Sequence, residues 1–168
     1  SASLASAEWQ ATRDDTWTTK VARQVINSVV RIEGRGTCTG FPIDTEIVLT
    51  AAHCVGPQPV FVDGEEAEVL LDDAATDLAV LRAFTHKSPL LPAYASKGEL
   101  VVVVGYGHAF PIPHVLRGHV LDLFEVVYVG DVRGDGYLIL DTAVIRGMSG
   151  GPVVNQEGKV VGMCQATD

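Results

Sequence analysis

"RGMSGGPVV", Arg146–Val154, holds three glycines, a proline and a single serine before it turns apolar. Glycine costs conformational entropy and fills no core, so this is poor packing material. Two readings fit it. It is a glycine-rich structural turn, or it is a tight turn that presents Ser149 and aims backbone N–H groups at something beside it. The rest of the chain has to decide between them.

The chain has 168 residues, enough for one compact domain or two small fused lobes. Hydrophobic residues make up 47%, which argues against disorder. The formal net charge of −9 argues against a general nucleic-acid or anionic-membrane binder, which needs a basic face. No apolar run approaches the roughly 20 residues of a membrane-spanning helix, and the longest aliphatic stretch, Leu100–Val104, is strand-sized. The opening "SASLASAEWQ" is polar and lacks a basic segment followed by an apolar one, so it does not read as a secretory leader. Cys38, Cys54 and Cys164 are odd in number, so at most one intramolecular disulfide forms. Their spacings do not read as a zinc knuckle. A disulfide would favour a secreted, periplasmic or otherwise extracytoplasmic setting.

Residues 1–15 read as a loose tail. In "DDTWTTKVARQVINSVV", Val21, Val25, Ile26 and Val29 recur at helical spacing, which predicts a short helix over 16–28. Short β-branched and aliphatic runs follow, among them "EIVLT", "DLAVLRAF", "ELVVVVGYG" and "KVVGMCQA". Turn signals such as Asp63-Gly64, Asp135-Gly136 and Glu157-Gly158 separate them. That texture predicts an all-β sandwich or barrel. Residues 86–98, "HKSPLLPAYASKG", carry two prolines and little alternation. They are read as a linker between a β lobe over 29–85 and a second over 99–168.

Two further stretches bear on Ser149. "LTAAHC", Leu49–Cys54, ends a strand and presents His53 on a small-residue turn. "TDLAVL", Thr76–Leu81, puts Asp77 at the mouth of an apolar strand. Alone, each has a bland reading: an ordinary histidine, a strand-capping carboxylate. Together with Ser149 they make up what nucleophilic serine chemistry needs. That is a hydroxyl, a base to take its proton, and a carboxylate to hold the base in one tautomer. His108, His114 and His119 fall close together, but their spacings of six and five do not match a zinc-binding helix. No metal and no cofactor is expected.

"TAAHC", "DLAVL" and "GMSGGP" jointly resemble the signature stretches of the trypsin-like serine proteases, whose chymotrypsin branch carries His, Asp and Ser in this chain order. The likeness spans about 29–165 and is nearest the HtrA-type and bacterial or viral branch. The resemblance implies an all-β fold of two antiparallel six-stranded barrels, with the helix before the first. It implies a serine endopeptidase with His53, Asp77 and Ser149 catalytic, and the N–H groups of Gly147 and Ser149 forming an oxyanion hole. Cys38 and Cys54 match a disulfide that trypsin-like enzymes often place behind the histidine. Met148 stands where enzymes activated by cleavage carry an aspartate, so no ion-pair zymogen switch is expected. By position in the family, Ala143, Val144 and Ile145 form one wall of the S1 pocket, and Cys164, Gln165 and Ala166 the other. With no acidic residue at the base, a small or medium apolar P1 side chain is expected in a polypeptide substrate. The family pattern has one more strand after "VVGMCQAT", so the second barrel is expected to lack its last strand, to close differently, or to borrow a strand from a partner or a second copy. The competing reading is a latent or partner-gated binding module of the same fold.

Overall fold

In the computed structural model of the chain, residues 17–107, 111–123, 127–129, 132–134, 138–140 and 145–165 are described. The expected helix, α1, runs over 17–26. Val21 and Val25, one turn apart, are buried with Val29 on the face that docks against the strands.

Six strands follow: β1 (Val30–Glu33), β2 (Thr37–Pro42), β3 (Ile47–Ala51), β4 (Val60–Val62), β5 (Glu65–Asp73) and β6 (Leu78–Arg82). They close into an antiparallel barrel in the order β1-β2-β3-β6-β5-β4. Its core holds Val30, Ile32, Val48, Val60, Val62, Ala79 and Leu81. The Asp63-Gly64 signal is a two-residue hairpin: both residues have positive φ, +47° and +86°, and Val62 pairs with Glu65 across them. That is the type I′ geometry whose twist suits flanking strands.

Residues 83–99 form no strand; they are tied to the sheets by a parallel bridge between Pro92 and Val160 and by backbone bonds from the Leu90 N–H to the Pro42 carbonyl and from the Gly98 N–H to the Val120 carbonyl. Beyond them lie β7 (Leu100–Gly105), β8 (His114–Leu123), β9 (Val127–Val129), β10 (Val132–Gly134), β11 (Leu138–Leu140), β12 (Pro152–Val154) and β13 (Val160–Met163). Five of these make a sheet in the order β11-β8-β7-β12-β13, and β9 pairs with β10 as a separate ribbon. Among the described residues this second sheet is open, so the expected pair of closed barrels is seen as one closed barrel and one five-stranded sheet.

The unbroken apolar run of β7 has a physical reason. Val101 and Val103 face a cluster with Val120, Met148, Val153 and Cys164. Val102 and Val104 face the opposite way, into a cluster with Val21, Val25, Phe41 and Val154. A strand buried on both faces does not alternate with polar residues. The second cluster joins α1, the barrel through Phe41 of β2, and the sheet through β7 and β12.

A disulfide between Cys38 and Cys54 ties β2 to the 3-10 turn Ala52–Cys54 that follows β3. It closes a loop of sequence separation 16, for which the chain-entropy model gives about 3 kcal/mol. Replacing both cysteines with alanine is therefore expected to lower Tm by about 6–12 °C in a domain of this size. Calorimetry of the double variant against the oxidised parent checks this, and an unchanged Tm would show that the bridge carries no stability.

Candidate active site

The register of the barrel brings two of the singled-out residues to one end. β3 and β6 are antiparallel neighbours with Ala51 opposite Leu78. His53, just past the end of β3, and Asp77, just before β6, therefore meet. Asp77 has φ +55°, a left-handed conformation that aspartate tolerates better than most side chains. Its carbonyl accepts the Ala52 N–H at 3.0 Å. Its carboxylate accepts the His53 backbone N–H at 2.8 Å through Oδ1 and lies 2.7 Å from His53 Nδ1 through Oδ2. Asp77 thus holds both the main chain and the ring of His53.

Ser149 Oγ lies 3.0 Å from Nε2, on the other side of the ring. A carboxylate only accepts, which places the ring proton on Nδ1 and leaves Nε2 to accept from the serine hydroxyl. Ser149 is 3% exposed, whereas the His53 side chain is 42% exposed. The hydroxyl is packed from behind and the imidazole is reachable from solvent.

The turn that carries Ser149 is tightly specified. The Met148 N–H donates to the Ile145 carbonyl at 3.1 Å, and Gly147 has φ +99°. A four-residue turn with positive φ at its third position is type II, which calls for glycine there. Past the serine, the Gly150 N–H donates to the Cys164 carbonyl at 2.8 Å, and the Gly151 N–H to the Met148 carbonyl at 3.0 Å. The Ser149 carbonyl accepts the Thr39 N–H of β2 at 2.8 Å, so the barrel grips the turn directly. Met148 is fully buried in the apolar cluster of the second sheet.

Of the residues expected to wall an S1 pocket, Ile145, Cys164 and Gln165 are described, and Ala143, Val144 and Ala166 lie outside the described residues. Ile145 packs over Gly107, where an added Cβ would come within 2.0 Å of its Cδ1. Cys164 is buried beside Met148 and Val153, and its carbonyl and N–H anchor Gly150 and Gly151. Gln165 is exposed and reaches the Thr76 carbonyl at 3.4 Å, next to Asp77. Cys38, His53 and Cys54 place their ligand atoms within 4.8 Å of one another, but the two sulfurs are bonded to each other and offer no thiolate to a metal. His114 and His119 sit five apart on β8, hence on opposite faces; His108 is outside the described residues.

The sequence reading passes over Thr39 and Thr50. Both are fully buried. The Thr50 hydroxyl donates to the Thr39 carbonyl at 2.7 Å, and the Thr39 hydroxyl donates to the Gly147 carbonyl at 2.9 Å. A threonine in a β-strand is unremarkable by composition. Thr39 shares a face of β2 with Phe41, turned to the second sheet, and no local signal in the sequence marks it.

A family model, the trypsin-like peptidase domain, matches residues 38–163. The chain belongs to the trypsin-like peptidase family. Among curated relatives, it is 33% identical over 145 residues to a protein of Rhizobium meliloti named as a probable periplasmic serine endoprotease of DegP-like type. A protein of the same name from Halomonas elongata is 30% identical over 142 residues. These alignments cover 79% and 78% of this chain but 28% and 29% of the relatives, so the chain spans under a third of their length. Among solved structures, the Rv3671c protease of M. tuberculosis in an inactive form superposes with a TM-score of 0.71 at 28% identity, over 89% of this chain and 81% of that one. Deg5 superposes with a TM-score of 0.77 at 21% identity, over 92% of this chain and 86% of that one, a likeness of fold.

Proposed function

We propose that this chain is a serine endopeptidase domain of the HtrA/DegP type that hydrolyses peptide bonds through an acyl-enzyme on Ser149. The observation that carries the reading is a single imidazole held between a carboxylate at 2.7 Å and a serine hydroxyl at 3.0 Å. His53 is the general base that takes the Ser149 proton and returns it to the leaving amine. Asp77 orients the ring and stabilises its charged form. The N–H groups of Gly147 and Ser149 receive the developing oxyanion, where one donor typically contributes about 2.7–4 kcal/mol of transition-state stabilisation. Water then releases the acyl group by the same base.

The remaining assignments extend that reading. Ala143, Val144 and Ile145 with Cys164, Gln165 and Ala166 form the S1 pocket, which accepts a small or medium apolar P1 side chain. Buried Met148 replaces the ion-pair switch of cleavage-activated enzymes, so the oxyanion turn is held by packing, backbone bonds and the Thr39 hydroxyl. The second sheet belongs to a second barrel. The disulfide and the periplasmic naming of the DegP-like relatives support an extracytoplasmic setting.

A fluorophosphonate probe tests the reading, since it reacts only with an activated serine. A single adduct mapped to Ser149, lost in His53→Ala, is the expected result. Folded wild-type chain that takes up no probe would overturn the constitutively active enzyme in favour of a latent, partner-gated module.

A further inference from the structure

The peptide planes from Gly147–Met148 to Gly151–Pro152 are each held by a hydrogen bond, and one of the donors is a side chain from the other half of the molecule. The plane between Gly147 and Met148 is held at its N–H by the Ile145 carbonyl, within the turn itself. At its C=O it is held by Thr39 Oγ1 at 2.9 Å. The same hydroxyl oxygen accepts the Tyr106 N–H at 2.8 Å, so its proton is committed to Gly147. The Thr39 carbonyl is fixed in turn by Thr50 Oγ1 at 2.7 Å. Gly105, at the end of β7, leaves room for this approach: a Cβ there would stand 2.9 Å from Thr39 Oγ1 and 3.0 Å from the Met148 Cα.

The consequence lies in where the donor stands. The plane held by Thr39 is the one that follows Gly147, so the hydroxyl fixes the Gly147 carbonyl, and with it the place of the residue whose N–H is the donor, against the barrel that also carries His53 and Asp77. We propose that Thr39 is a positioning residue of this site, its hydroxyl holding Gly147 in place relative to His53 so that the N–H stands where the oxyanion forms. The inference rests on the reading of Gly147 as an oxyanion donor. It adds a dependence of the donor on a barrel residue that touches no substrate.

Thr39→Val keeps the shape and removes the hydroxyl. The expected result is a fall in kcat of about 10–100-fold, short of the 10²–10³-fold typical of deleting a donor outright, with KM nearly unchanged. Affinity for a peptide boronate, whose tetrahedral adduct occupies the oxyanion site, falls in parallel. Thr39→Ser, which retains the donor, restores kcat to within about threefold of the parent. All rates are taken per site titrated with fluorophosphonate. A purely structural role would lower Tm and the titrated fraction, and leave kcat per titrated site and boronate affinity as in the parent; that outcome overturns the proposal. So does a serine variant as slow as the valine one. If Thr39→Val does not fold, Thr39→Ala is read by the same criteria. Wild-type chain that neither labels nor turns over would instead sink the peptidase reading and this inference with it, whereas a labelled, active parent with an unchanged valine variant sinks the inference alone.

Discussion

Ser149→Ala and His53→Ala are each expected to lower kcat by about 10⁶-fold, and the double variant by no more than either single one. The geometry explains the lack of additivity. Nε2 of His53 is 3.0 Å from Ser149 Oγ and has no other hydrogen-bond partner among the described residues. Without the imidazole, the hydroxyl keeps a proton that nothing takes. Without the hydroxyl, the imidazole has nothing to activate. Independent contributions would multiply to about 10¹²-fold, which exceeds the acceleration of many enzymes. Asp77→Asn is expected to cost less, about 10⁴-fold, because an amide beside Nδ1 leaves hydroxyl and imidazole in place but favours the wrong tautomer. Single-turnover kinetics on an activated peptide ester, with circular dichroism to show that each variant is folded, measure all four. Residual activity in Ser149→Ala comparable to the parent would remove Ser149 as nucleophile. A double variant far worse than either single one would mean that the two residues act separately.

How much of this could be read from sequence depended on the range of the interaction. Helix α1 was legible because Val21, Val25 and Val29 repeat at its period, and the Asp63-Gly64 hairpin because its turn chemistry is local. β7 was legible as a strand but not as one buried on both faces, since four successive valines carry no period. β5 reads as apolar in "EVLL", yet Val69, Leu70 and Leu71 are all 40% or more exposed; hydrophobicity alone does not say which side of a barrel wall a residue faces. At the candidate site, His53, Asp77 and Ser149 were singled out because each sits on a turn with its own local signal. Thr39 was not found, because its partner Gly147 lies 108 residues away and only the docking of barrel on sheet joins them. The disulfide was expected from the resemblance alone, as two thiols 16 apart have no local signature of pairing.

The largest stability effect is expected at Gly150, and it separates two reasons for keeping a glycine. Gly150 has φ +87°, and a Cβ there would stand 2.0 Å from the Thr39 carbonyl oxygen and 2.5 Å from Thr50 Oγ1. Gly64 has nearly the same conformation, φ +86°, with nothing within 4 Å of its would-be Cβ. Gly64→Ala therefore measures backbone strain alone, about 1–2 kcal/mol. Gly150→Ala adds a collision with a backbone atom that cannot step aside, because the Thr39 carbonyl is held by Thr50 and the Thr39 N–H by the Ser149 carbonyl. Overpacking of this kind adds about 1–3 kcal/mol. The total of about 2–5 kcal/mol is a large part of the 5–15 kcal/mol that holds a domain together. Denaturant unfolding of both variants should place Gly150→Ala well below Gly64→Ala in midpoint at equal m-value. Because the collision falls on the residue after Ser149, whatever folds should also have lost most of its turnover, while Gly64→Ala keeps it. Equal midpoints for the two variants would mean that the turn yields at Gly150, and that the barrel's grip on the serine is looser than its hydrogen bonds indicate.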